Sequence, residues 1–319
     1  MTPGPLVCVV VSAYDRSHLL PALVAALQAQ TLDRFEAVLV DNGSTDDTSA
    51  TLARLTADDD RFRVLRIEDN RGPARARNLA WRTTTAPWIA FTDDDCEPDP
   101  TWLEELLAAG EHAEVVQGWT GEVLDTEPAG WFDRTQRIDR FTNRYETCNL
   151  LVARHVLEQL DGFDETFPIA MGEDTDLGFR AVDAGARTAF APDAVVRHHI
   201  WRTGFVGYLR QQARLAEQVE LVRINPAVRR NLRWGYVVGG THLLVWALVP
   251  TAAAGIATGR PWLPLVPVAA WCGCNVYWTR HRPFPAAARF AYSTLQFVGK
   301  AYETFCYARA SVRYRTLVL

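Results

Sequence analysis

Three adjacent carboxylates, Asp93, Asp94 and Asp95, follow the apolar run PWIAFT. Side by side at the end of a buried strand, they repel one another unless a cation or hydrogen-bond donors neutralise them. Alternate residues of an extended chain point the same way, so Asp93 and Asp95 can face one site. Hard oxygen ligands suit Mg²⁺ or Mn²⁺, and such an ion would neutralise a departing diphosphate. The competing reading is a solvated acidic turn. A second carboxylate pair, Glu173 and Asp174, opens the segment GEDTDLGFR. A carboxylate there can take the proton from an attacking hydroxyl, or simply complement a helix N-terminus, the role expected of Asp176. Asp41 ends another apolar run and precedes Asn42, Gly43, Ser44, Thr45 and Asp46. Its carboxylate can accept from a ligand N–H, while Ser44, Thr45 or Asp46 can cap the next helix. Arg71, Arg75 and Arg77 surround Gly72 and Pro73 at a helix start, where phosphate is favoured, although a solvated basic turn would look the same. Asn78 can brace that loop. His198 and His199 close a strand, and one neutral imidazole could complete a metal site or touch phosphate.

The elements that would position these groups alternate. Residues 6–12, 35–41, 62–67 and 87–93 read as buried strands, and 18–30, the segment through Leu55, and 74–82 as helices. That βαβαβαβ order implies a parallel, doubly wound α/β sheet whose ligands lie at the carboxyl ends of the strands. The polar clusters at 13–15, 41–47 and 93–97 sit at such ends. Beyond them, 101–109 reads as a helix and 115–123 as a strand. Residues 129–145, aromatic and charged, read as a substrate-facing loop. Residues 148–153, a helix near 171–184 and strands near 187–198 follow.

The chain has 319 residues and a net charge of −5, enough for a full α/β core with an appendage and no support for nucleic-acid binding. Cys8, Cys96, Cys148, Cys272, Cys274 and Cys306 show no zinc-ligand spacing and read as reduced thiols of a cytoplasmic protein. The first apolar run reads as a strand and not a signal peptide. After Arg233 the composition changes. Val237 to Ala257 contains no charged residue, and Pro261 to Thr279 is a second such run, weakened by Pro264, Pro267 and Asn275. Arg223, Arg229, Arg230 and Arg233 precede the pair and Arg280, His281 and Arg282 follow it. That pattern fits a membrane hairpin with both ends in the cytoplasm, with Trp262, Trp271, Tyr277 and Trp278 at the interface; two buried helices are the alternative. Residues 284–319 read as an interfacial amphipathic helix.

Taken together, VVVSAYDR, VDNGSTDDT, NRGPARARN, FTDDDCEPDP, NLLVARHVLEQLDGFDE, GEDTDLGFR and VVRHH, in that order over about residues 6–222, resemble the family 2 glycosyltransferases of the GT-A fold. The resemblance implies a mixed sheet flanked by helices over 1–222, followed by a C-terminal helical region, 223–319. It implies inverting transfer of a sugar from a nucleotide-diphosphate sugar to a glycan, lipid-linked or natural-product hydroxyl. Tyr14, Asp41, Arg71 and Arg77 would hold the nucleotide, and Asp93 would lie near the ribose. Asp95 would bind the divalent metal, Mn²⁺ or Mg²⁺, assisted by His198. Asp174 would be the general base with Glu173 beside it, and Trp119 would sit near the acceptor. The implied location is a cytoplasmic catalytic domain attached to the membrane. Asp161-Gly162 replaces the family's common two glycines, with little expected effect. Two other readings remain: a sugar nucleotidyltransferase, against which SAYDRSHLL stands where a glycine-rich basic loop belongs, and a non-catalytic sugar-nucleotide binder.

Overall fold

A computed structural model of the chain describes residues 4–123, 130–167, 171–278 and 285–319. It divides into two compact units, Met1–Pro128 with Arg134–Trp201, and Ala129–Asp133 with Arg202–Leu319.

The first unit runs β1 (Val7–Ala13), α1 (Leu20–Gln28), β2 (Phe35–Asn42), α2 (Thr48–Thr56), β3 (Phe62–Ile67), α3 (Pro73–Arg82) and β4 (Trp88–Thr92). It continues with β5 (Cys96–Pro98), α4 (Trp102–Gly110), β6 (Val115–Glu122), β7 (Asn149–Ala153), α5 (Arg154–Leu160), α6 (Glu173–Asp183) and β8 (Thr188–His198). β1 and β2 are apolar on both faces because both faces are covered. Val7, Val9 and Val11 join Leu20, Leu23 and Leu27 of α1 in one core cluster. At about 25 cal/mol per Å² of apolar surface, burying each such side chain contributes roughly 1.5–3 kcal/mol.

The eight strands lie in the order β3-β2-β1-β4-β7-β6-β8-β5. β3, β2, β1 and β4 are parallel, as the βα alternation predicts. The wholly parallel sheet does not continue. β7 pairs antiparallel with both β4 and β6, and β5 antiparallel with β8, so the sheet is mixed, the form the family resemblance implies. The cause is the connection. β7 is reached through the long excursion after β6 and not through a helical crossover, so nothing obliges it to run with its neighbours. The reading of 187–198 as several strands gives way to the single strand β8. It absorbs an irregularity between Gly118↔Ala191 and Trp119↔Val195.

The second unit is helical: α7 (Phe205–Leu215), α8 (Gln218–Ile224), α9 (Gly240–Trp246), α10 (Leu248–Thr258), α11 (Leu265–Trp278) and α12 (Ala286–Arg313). α12 leaves apolar side chains on its outer face. Tyr292, Glu303, Tyr307 and Ala310 are buried, while Phe290, Val298, Phe305 and Val312 are exposed. Part of the 129–145 segment belongs to this unit. The Phe132 ring stacks on Tyr208 at 5.2 Å, and Asp133 accepts from the Gly130 and Thr203 amides and from Arg202. Gly240–Thr258 is apolar over 19 residues, with mean hydropathy 1.4, and only 11% of it is buried. The second leg of the expected hairpin forms a helix from Leu265 onward and not from Pro261. Ala129, Thr279, Arg280, His281 and Arg282 lie outside the described residues.

Candidate active site

The carboxyl ends of β1, β2 and β4 supply three polar turns, and these turns interlock. The Tyr14 amide donates to Asp94 Oδ2 (3.1 Å), the Asp15 amide to Ser44 Oγ (3.0 Å), and the Thr45 amide to Asp15 Oδ1 (2.8 Å). Tyr14 itself is 39% exposed, so its ring is available to a ligand. Asp46 Oδ1 accepts from the amide of Thr48, the first residue of α2, while the N-cap position itself is Asp47, which makes no side-chain cap hydrogen bond. Burial raises the Asp46 carboxyl, but hydrogen bonds from Thr48 and Ser17 outweigh it and bring the pKa down to about 2.

Asp41 is fully buried. Its Oδ1 accepts from the Ser44 amide (2.9 Å) and its Oδ2 from Arg66 (2.7 Å). Both oxygens keep a second lone pair beyond these bonds. Asn42 donates to Asn70 and to the Gly72 carbonyl, tying this turn to the start of α3.

The three aspartates after β4 diverge to different partners. Asp93 accepts from Arg77 (3.1 Å), Asp94 pairs with Arg16 (3.6 Å), and Asp95 reaches His198 and Trp201. Burial first, then the charge of Asp95, pushes the Asp94 carboxyl up to about 8, with Arg16 opposing. Burial also raises Asp93, with Arg77 opposing and Asp95 adding to the rise.

β8 brings His198 opposite Cys96 in the ladder. His198 Nε2 lies 3.4 Å from Asp95 Oδ1, and its Nδ1 lies 3.0 Å from the His199 carbonyl. A carbonyl only accepts, so that bond places the ring proton on Nδ1. In the neutral ring, Nε2 then turns a bare lone pair toward a carboxylate oxygen, and such a pair calls for a cation or a shared proton between them. Asp95, Cys96 and His198 each offer a ligand atom within 4.8 Å of the others. Burial holds the Cys96 thiol well above its ordinary pKa, so it stays protonated, and the oxygen and nitrogen donors fit a hard divalent ion.

The second carboxylate pair is set by α6. Gly172, at φ +96°, turns the chain into the helix, and Glu173 and Asp174 occupy its first turn. Glu173 is buried and accepts from Arg77 at 2.7 Å. Arg77, itself buried, thus joins Asp93 to Glu173. Asp174 is half-buried and accepts from the Thr175 amide (2.6 Å). Burial, then the charges of Glu173 and Glu146, hold its carboxyl well above the usual range. Asp176 pairs with Arg180 at 2.7 Å, a structural role.

Of the residues singled out by sequence, Asp93, Asp95, His198, Arg77, Glu173 and Asp174 converge, and Tyr14 and Asp41 join through the interlocked turns. Arg71 is exposed and lies 3.6 Å from Asp69. Trp119, on β6, is half-buried with its ring lying over Gly121, where a Cβ would collide with it. Asn78 braces the loop after α5, bonding both ways to Phe163 and accepting from Trp81. Arg16, Arg66, Glu146 and Trp201 were not anticipated. Only Trp201 carried a local signal, two residues beyond the histidine pair.

Comparison with known proteins identifies the family and the fold. A model described as glycosyl transferase family 2 matches residues 8–156, and one described as glycosyl transferase family group 2 matches residues 88–280. The chain is 29% identical over 209 residues to Glycosyltransferase AglE of Haloferax volcanii, covering 61% of this chain and 67% of that one. It is 32% identical over 211 residues to the succinoglycan biosynthesis protein ExoU of Rhizobium meliloti, covering 57% and 58%. In fold it is similar to mannosyltransferase PcManGT of Pyrobaculum calidifontis, solved with GDP-Man and Mn²⁺, with TM-score 0.60, 19% identity, and coverage of 98% and 88%.

Proposed function

The chain belongs to the family 2 glycosyltransferases, and from that premise we propose that it transfers a sugar from a nucleoside-diphosphate sugar to an acceptor hydroxyl with inversion at the anomeric carbon. The observation that carries this reading is the Arg77 guanidinium, which spans from Asp93 at 3.1 Å to Glu173 at 2.7 Å. It fastens the helix bearing Asp174 to the acidic turn bearing Asp95.

Asp95 and His198 would hold the divalent ion, Mn²⁺ or Mg²⁺, whose contribution is to neutralise the leaving diphosphate. Asp41 and Tyr14 line the nucleotide end, with Arg71 at its rim. Arg77, committed to two carboxylates, sets the spacing between the two halves of the site. Glu173 is held by that guanidinium at 2.7 Å. Among the described residues Asp174 has no ion pair, and burial and the charges of Glu173 and Glu146 raise its carboxyl, which suits it to receive the acceptor's proton. Trp119 and the 134–145 segment face the acceptor. Inversion needs only one such base and no covalent intermediate. The acceptor is a glycan, a lipid-linked sugar or a natural-product hydroxyl. The catalytic unit is cytoplasmic, and the apolar helices of the second unit anchor the chain to the membrane.

The test is kinetic. Asp174→Asn should lower kcat by about 10²–10⁴-fold while leaving donor binding intact. Asp95→Asn should remove the Mn²⁺-dependent thermal stabilisation by the nucleoside diphosphate. Full turnover by Asp174→Asn with the true acceptor would overturn the base assignment.

A further inference from the structure

We propose that Trp201 is a positioning residue for the cation site, selecting which oxygen of Asp95 faces His198; the inference rests on the metal reading above. The Trp201 indole Nε1–H donates to Asp95 Oδ2 at 2.8 Å, which leaves Oδ1 directed at His198 Nε2, 3.4 Å away. A carboxylate rotates readily about its last bond, so an unheld Asp95 would spread its charge over many orientations. With Oδ2 tethered, one lone-pair oxygen stays opposite the bare imidazole nitrogen.

The choice of an indole has a chemical reason. Indole N–H is a donor only, cannot coordinate a metal, and carries no charge. Asp93 and Asp94 are each met by an arginine, Arg77 and Arg16. A guanidinium on Asp95 would cancel the charge that attracts the ion, whereas the indole orients the carboxylate and leaves that charge intact.

The indole is itself held. The Arg16 guanidinium lies over its face, 4.6 Å from the ring centroid, and the His199 ring meets it edge-on at 5.0 Å. The Trp201 backbone pairs in both directions with Arg134, at 3.2 and 2.8 Å. The Arg16 backbone is fixed in turn by the hydrogen bond its amide donates to Thr48 Oγ1. Outer-shell donors of this kind set metal affinity by fixing the ligand before the ion arrives.

The experiment is titration of the purified full chain with Mn²⁺ alone, followed by paramagnetic resonance of the free ion, for the wild type, Trp201→Phe and Asp95→Asn. Phenylalanine keeps a ring under Arg16 and removes only the N–H. Mn²⁺ affinity should fall about 10–100-fold in Trp201→Phe, while the metal-free melting temperature stays near that of the wild type. Trp201→Gln, which keeps an N–H donor without the ring, should give a smaller loss. It serves as the second variant should Trp201→Phe fail to fold. Wild-type Mn²⁺ affinity in Trp201→Phe, with binding lost in Asp95→Asn, would overturn the positioning role and leave the metal reading standing. A wild type that takes up no Mn²⁺ would overturn both. Reduced melting temperature with unchanged affinity would mark Trp201 as structural and also overturn the proposal.

Discussion

Asp174 and Glu173 are adjacent in sequence and similar in chemistry, and their surroundings separate them. Glu173 is locked to Arg77, while Asp174 is raised by burial and then by the charges of Glu173 and Glu146. Because the base must be ionised to accept a proton, the acid limb of the pH–rate profile should lie above the ordinary carboxylate range. Glu146→Gln removes one raising charge, so that limb should move to lower pH, but burial should keep it above the ordinary value; kcat/KM measured across pH checks this. The same shift has a stability sign. A carboxyl raised in the folded state costs stability as pH rises from about 3.9, its unfolded pKa, through its folded value. Asp174→Asn should therefore melt no lower than wild type at neutral pH, which separates lost chemistry from lost fold. Asp41 and Asp93 to Asp95 were legible in sequence because they end apolar runs, and Glu173 and Asp174 because they open a helical segment. The bridge by Arg77 was not, since it joins positions 96 apart that only the folded chain brings together. Its helix-start position argued for phosphate, whereas in the fold it pairs with Asp93 and Glu173.

Among elements, the parallel half of the sheet was legible because β1 to β4 are apolar runs separated by helical periodicity. The direction of β7 was not, because a strand's run of apolar residues carries no sign. β5 is three residues long and ends in Pro98, too short to register as a strand. α5 is also short, but its end shows what replaced the two-glycine turn. Asp161 takes the left-handed conformation at φ +56° and Gly162 follows at φ +76°. Asp161 takes this conformation while its carboxylate and carbonyl both accept from Arg82. Gly162 is different. A Cβ there would collide with Asn78 Oδ1, which is held by Phe163 and Trp81 and cannot withdraw. Gly162→Ala combines an unfavourable positive φ with overpacking and should cost at least about 2 kcal/mol, read by urea denaturation. Because α3 carries both Asn78 and Arg77, the variant should also lower kcat.

On the scale of the whole molecule, the two units differ in how they treat apolar surface. The first buries it, whereas the second leaves Val249, Ile256, Trp262, Leu265 and Val266 exposed, Ile256 at 87%. Exposed apolar surface of this extent is costly in water and marks a surface meant to be covered. Gly240–Thr258, at 19 residues, spans about 28 Å, close to the roughly 30 Å of the hydrocarbon layer. α11, at 14 residues, spans only about 21 Å and does not cross by itself. Its helix starts late because Pro261 and Pro264 flank a turn, and Arg260 lies at the same tip. We therefore expect an anchor whose first leg is deeply inserted and whose second is shorter. The full chain should remain in the pellet when membranes are washed with alkaline carbonate. Paired substitution of Val249 and Ile256 by Asp adds about 2.5–3.5 kcal/mol per charge at depth and should release it while leaving donor binding intact. If instead the exposed helices pack on protein, the wild type will leave the membrane in the wash, and the same substitutions will break an oligomer detectable by sedimentation. A chain released by the wash as a monomer would contradict any burial of that face, and the acceptor would then be sought among soluble molecules.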